Sequence, residues 1–162
     1  MRILFTGGGT GGHVFPIISI VREIRRLYSR SDIEFFYLGP KDEFWSILLS
    51  QEDIKVIKIW SGKIRRYFSL KSFFQNVVDV LFKIPLGVVQ SVFLIFFKIK
   101  PRLIFSKGGY GALPVILANR LLRKPLFIHE SDVVPGVANR FASKKAKKIF
   151  TAFPRTEYFK PE

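Results

Sequence analysis

The chain has 162 residues, with 27 Lys or Arg against 12 Asp or Glu for a formal net charge of +15, and a hydrophobic content of 48% that includes 18 Phe. That length suits one domain with a real core, and a chain both strongly basic and strongly apolar is not a disordered one. The absence of cysteine excludes disulfides, thiolate catalysis and Cys-based zinc sites, and the pairing of positive charge with apolar surplus suits an anionic membrane surface better than nucleic acid.

The chain enters a strand at once, residues 2–6, with only Arg2 ahead of the apolar run. We therefore expect no signal peptide, so that the loop after this strand faces the cytoplasm. The loop, Thr6-Gly7-Gly8-Gly9-Thr10-Gly11-Gly12-His13, is rich in glycine and leads into a helix over 14–28 whose apolar stripe is Ile17, Ile18, Ile20, Val21, Ile24 and Leu27. Glycines let a ligand approach the main chain, and the free N–H groups of a helix's first turn favour an anion, so a phosphate or diphosphate is the first ligand to consider.

Gly7, Gly9 and Gly12 satisfy G-x-G-x-x-G, which invites a dinucleotide. The second strand, 33–38, ends in Tyr37-Leu38-Gly39-Pro40 and offers no acid for a ribose, and no Gly-Lys-Ser/Thr follows the loop to make it a P-loop. His13, at the positive end of the helix dipole, is held neutral near pH 7 and is either a loop hydrogen-bonder or a base.

A helix over 42–49 and a third strand over 54–59 come next. From Lys63 to Arg102 lie eight Lys or Arg residues, one acid (Asp79), and the clusters Tyr67-Phe68, Phe73-Phe74 and Phe93-Leu94-Ile95-Phe96-Phe97. Part of this is a helix face packed on the sheet. The surplus reads as an interfacial patch in which Phe73, Phe74, Phe93 and Phe96 dip into acyl chains while Lys63, Arg65, Arg66 and Lys71 meet anionic headgroups. The uncharged run 84–97 is shorter than the roughly 20 residues that cross a bilayer, and Pro85 and Gly87 are expected to interrupt it, so we expect it not to span.

A strand over 102–106 ends in Ser106-Lys107-Gly108-Gly109-Tyr110-Gly111-Ala112, a second glycine turn before a helix over 113–122. The strand 126–129 leads into His129-Glu130-Ser131-Asp132, then into a helix over 136–145. Two carboxylates and a histidine on such a loop bind sugar hydroxyls or orient a base; the lesser alternative makes Asp132 a turn former ahead of Pro135. Lys144, Lys145, Lys147 and Lys148 either extend the basic patch or form a solvated face. The histidines and carboxylates lack metal-ligand spacing, so no metal and no cofactor is expected.

Alternating strands and helices predict an α/β fold, a Rossmann-like parallel sheet with right-handed crossovers, whose loops 7–13, 107–112 and 130–136 converge on one edge.

With these loops in hand, Gly8-Gly9-Thr10-Gly11-Gly12-His13-Val14-Phe15-Pro16, Gly108-Gly109-Tyr110, and His129-Glu130 with Pro135-Gly136-Val137-Ala138-Asn139-Arg140 resemble the MurG family of peptidoglycan N-acetylglucosaminyltransferases, over essentially the whole chain. The resemblance implies the N-terminal, acceptor-binding half of a two-domain GT-B glycosyltransferase, residues 1–153, with 154–162 starting an interdomain segment and the donor domain beyond. It implies inverting, metal-independent transfer of GlcNAc from UDP-GlcNAc to lipid I, making lipid II. The partners implied are lipid I, UDP-GlcNAc held through the donor domain, and the cytoplasmic face of the bacterial membrane as a peripheral anchor, with no nucleic acid. In that scheme Gly8, Gly9, Gly108, Gly109 and Tyr110 hold the acceptor and its diphosphate, and Thr10, Gly11, Gly12 and Asp132 touch the donor. His13 is the first choice of general base and Glu130 the second. The chain departs from the family at Gly111-Ala112-Leu113-Pro114, where Val-Ser-x-Pro is expected, and at Ser131-Asp132, where Gln-Asn is common. An alternative within the same resemblance is a membrane-bound adaptor subunit of a split GlcNAc transferase that recruits a separate donor-binding chain.

Overall fold

The structure, a computed structural model, describes residues 1–8, 10–28, 32–63, 65, 69–153 and 158–159. Gly9, Arg66, the pair Tyr67-Phe68 and the boundary expected at 154 lie outside the described residues. The elements run β1 (Arg2–Thr6), α1 (Gly11–Leu27), β2 (Glu34–Gly39), α2 (Glu43–Gln51), β3 (Ile54–Lys58), α3 (Leu70–Ile99), β4 (Leu103–Ser106), α4 (Leu113–Leu122), β5 (Leu126–Glu130), α5 (Val137–Ser143) and β6 (Lys148–Thr151).

The strands form one six-stranded sheet in the order β3-β2-β1-β4-β5-β6, and every pairing is parallel. Alternation along β1 divides the core: Ile3 and Phe5 join Val14, Ile17, Val21 and Leu49 from α1 and α2, while Leu4 joins Ile95, Ile99, Val115 and Ala138 from α3, α4 and α5. Both faces are therefore covered, as a parallel sheet requires. The order reverses direction between β1 and β4, so the loops after these two central strands open on the crevice where such folds bind ligands. Strand β6 was not expected. It is four residues long and begins on Lys148, and its pattern of exposure is that of an edge rather than a core strand.

The larger correction is α3, which runs unbroken from Leu70 to Ile99 through Pro85 and Gly87. A wide turn over Asp79–Lys83, in which the Ile84 N–H reaches back five residues to the Asp79 carbonyl, lies just ahead of Pro85 and accommodates its ring and missing donor. Gly87 lets the helix approach the loop after β3, because a Cβ there would run into the Trp60 carbonyl. By length and composition this helix is able to cross a membrane, which the short uncharged run did not suggest. One of its faces is committed to protein: Ile84, Gly87, Ser91, Ile95 and Ile99 are buried, and the helix packs on α4. The other face leaves Phe73, Phe74, Phe82, Phe93, Phe96 and Phe97 between 50% and 65% exposed.

The buried face carries one charge. The Asp79 side chain is 2% exposed and pairs with Arg65 at 3.0 Å and Lys83 at 2.5 Å, and it accepts the Lys63 N–H at 3.1 Å. Arg65 is thus turned inward onto the helix rather than outward. Asp79→Ala leaves two cations and an N–H without their acceptor and is expected to cost about 3 kcal/mol in denaturant unfolding, whereas Lys71→Ala, at an exposed position, is expected to cost under about 0.5 kcal/mol.

Candidate functional site

Loop 7–13 after β1 and loop 107–112 after β4 are locked together. Gly109 has φ +81, and a Cβ there would collide with the Gly8 carbonyl and stand 3.0 Å from His13 Nε2. A Cβ at Gly111 would collide with the Gly7 carbonyl and Pro40. The Tyr37 hydroxyl, buried beneath, donates to the Gly7 carbonyl at 2.8 Å, and burial pushes this phenol well above its ordinary range. Helix α1 begins at Gly11, so Gly11, Gly12 and His13 form its first turn, with the His13 N–H on the Thr10 carbonyl at 3.0 Å.

Thr10 Oγ1 lies 2.8 Å from His13 Nδ1. In the tautomer where Nδ1–H donates to that hydroxyl, the lone pair sits on Nε2, which faces Gly109. Burial, then the Lys107 ammonium, hold this imidazole below its ordinary 6.5, against the upward pull of Asp132 and Glu130. Lys107 is only 3% exposed; its ammonium donates to Ser131 Oγ at 2.9 Å, and burial lowers it too, against Glu130 and Asp132.

Glu130 has a different part. Its carboxylate, 4% exposed, accepts the Asp132 N–H at 3.0 Å, the Gly136 N–H at 3.2 Å and Asn139 Nδ2 at 3.0 Å. These contacts tie the loop after β5 to the start of α5. A carboxylate so occupied organises backbone and is poorly placed to take a proton from substrate. Asp132 itself is exposed on that loop.

A profile of the glycosyltransferase family 28 N-terminal domain matches residues 3–151. The chain belongs to that family. Among family 28 relatives, a Borrelia garinii subsp. bavariensis protein named UDP-N-acetylglucosamine--N-acetylmuramyl-(pentapeptide) pyrophosphoryl-undecaprenol N-acetylglucosamine transferase is 45% identical over 161 residues, 98% of this chain and 42% of the relative. Proteins of the same name from Borrelia hermsii and Legionella pneumophila are 48% and 44% identical, covering 98% of this chain and 42% and 41% of their own lengths. The chain therefore spans about two-fifths of the curated relatives it matches. Among solved structures, Acinetobacter baumannii MurG superposes with a TM-score of 0.73 at 24% identity, over 99% of this chain and 43% of that one, which supports the GT-B half-fold.

The fold thus brings Gly8, Thr10, Gly11, Gly12, His13, Gly108, Gly109, Tyr110, Glu130 and Asp132 to the carboxyl ends of β1, β4 and β5. Arg65, Lys71 and the Phe set stand apart from it on and beside α3. Lys63 bridges the two regions, its ammonium 6.0 Å from the centre of the Tyr110 ring. Three residues that shape the site do not stand out as site residues in the sequence: Tyr37, Lys107 and Asn139. Lys107 is the most readable of them, being a charge between a strand and a glycine turn.

His129 is also held below 6.5, by burial and then by Lys107, against the pull of Glu130. His13 and His129 are the chain's two histidines, so both are resolvable by NMR titration. Both are expected to titrate below 6.5, and Lys107→Met is expected to move both upward. The unfolded chain then binds more protons below 6.5 than the folded one, so this contribution to stability is full above 6.5 and falls as pH drops below it.

Proposed function

We propose that this chain is the acceptor-binding half of an inverting transferase that moves GlcNAc from UDP-GlcNAc to lipid I. The observation that carries the proposal is the interlock of the two glycine loops, which places His13 Nε2 against Gly109 at the switch point of the sheet. The relatives' shared name supplies the chemistry: a muramyl-pentapeptide acceptor on a pyrophosphoryl lipid. Backbone donors of the two loops suit the acceptor diphosphate, and a neutral imidazole suits removal of the proton from the attacking sugar hydroxyl. We assign His13 as the base and Glu130 as the residue that holds its loop. Thr10 orients the imidazole, and Gly11, Gly12 and Asp132 line the side open to a donor.

The 162 residues are expected to bind a soluble short-prenyl lipid I analogue by calorimetry and to show no turnover of radiolabelled UDP-GlcNAc by themselves. With a donor-binding half supplied, His13→Gln is expected to lower kcat by about 10²–10⁴ with little change in acceptor KM. Turnover by the 162 residues alone, or a fully active His13→Gln, would overturn these assignments.

Attachment to the membrane is the second part of the proposal. With its inner face held by Asp79 and α4, α3 lies along the surface of an anionic leaflet, as on the cytoplasmic side, and buries its Phe side chains in the interface. Co-sedimentation with anionic vesicles is expected to weaken with salt and, at constant salt, to fall in a Phe73→Ser/Phe74→Ser or Phe96→Ser variant. Binding indifferent to these changes would reduce the patch to its charge.

A further inference from the structure

Beside the glycine loops a cavity of about 480 Å³ opens at the carboxyl ends of β2 and β3, within the size range of small-ligand sites. Its lining includes Lys41, Lys58, Lys83, Trp60, Gln90 and Tyr110. Lys83 is neutralised by Asp79, but neither Lys41 nor Lys58 has a carboxylate within 4.0 Å among the described residues. The wall between them is rigid. The Trp60 N–H donates to Gln90 Oε1 at 2.9 Å, and the Trp60 carbonyl is pressed against Gly87, where no Cβ fits. The indole itself is 53% exposed. The cavity therefore presents two uncompensated ammonium groups and an aromatic ring on a fixed frame.

We propose that this cavity receives the carboxylate-bearing end of the acceptor's peptide. The inference rests on the acceptor reading under Proposed function and extends it from the diphosphate and sugar to the peptide. Tyr110 joins the two places: it belongs to the second glycine loop and it lines the cavity, so a sugar held at the loops starts its peptide at the cavity mouth. A peptide attached through its amino end to a muramyl sugar finishes in a free carboxylate. Lys41 and Lys58 supply its charge complement, and the Trp60 ring covers the apolar peptide stem.

The test uses two probes and the 162-residue chain in detergent. One probe is a short-prenyl diphosphate-linked muramyl pentapeptide, and the other is the same molecule without the peptide. A Lys41→Gln/Lys58→Gln variant, both positions being exposed, is expected to keep its thermal unfolding midpoint. It is expected to bind the pentapeptide probe about tenfold more weakly and the peptide-free probe within about twofold of wild type. Converting the peptide terminus to an amide is expected to reproduce the loss in the unmodified chain. Equal weakening of both probes would assign the lysines to the diphosphate, and unchanged affinity for both with weaker binding to anionic vesicles would assign them to lipid headgroups. Either result overturns the peptide proposal while leaving the acceptor reading in place. Failure of the unmodified chain to bind either probe would remove the acceptor reading itself, and this inference with it.

Discussion

The site depends on one steric constraint, the absence of a side chain at Gly109. Its backbone passes against the Gly8 carbonyl and within reach of the His13 ring, at a positive φ that a side chain would strain. Because the loops after β1 and β4 meet there, the donors of both loops and the imidazole of α1 act as one surface. Separate the loops and there remain two ordinary strand-to-helix turns. The buried Tyr37 hydroxyl on the Gly7 carbonyl makes the same constraint from below, fixing the first loop before any ligand arrives.

Around that contact the electrostatics are arranged asymmetrically. Burial, and then Lys107, which is itself buried at the start of the second glycine loop beside Ser131, bias both histidines toward their neutral forms. Glu130 and Asp132 pull the other way, but Glu130 is occupied by three donors of its own loop and α5. A cation fixed near a histidine suits a proton acceptor, because it raises the cost of resting protonated.

Most of the sheet was legible from the chain because its signals are local. Ile3-Leu4-Phe5, the glycine turns and the apolar stripe of α1 each declare themselves within a few residues, and β1, β2, β4 and β5 fall within a residue or two of expectation. What was illegible depends on partners distant in the chain. Lys148–Thr151 becomes a strand only because β5 offers it an edge. Tyr37 is a brace only because Gly7, thirty residues earlier, lies above it. Pro85 reads as a break, yet a single wide turn beginning at Asp79 absorbs it and keeps α3 whole. Glu130 carries the right chemistry for a base, and only the arrival of Asn139 and Gly136 shows that its oxygens are already in use.

Asp79 explains how a helix apolar enough to cross a bilayer stays with the domain. Lifting α3 into a membrane would strip this carboxylate of Arg65, Lys83 and the Lys63 N–H, and an unpaired charge in hydrocarbon is costly. The ion pairs therefore hold the inner face down while the Phe face remains available, which is the geometry of a helix lying in an interface. The same carboxylate fixes the Lys63 backbone, and the Lys63 side chain reaches over Tyr110 at the cleft. The proposed anchor and the proposed acceptor site are consequently joined through Lys63 by a connection only a few residues long. In the proposed complex, a substrate with its lipid in the bilayer and its sugar at His13 would require a fixed distance between the two, and Asp79 is the residue that would hold it.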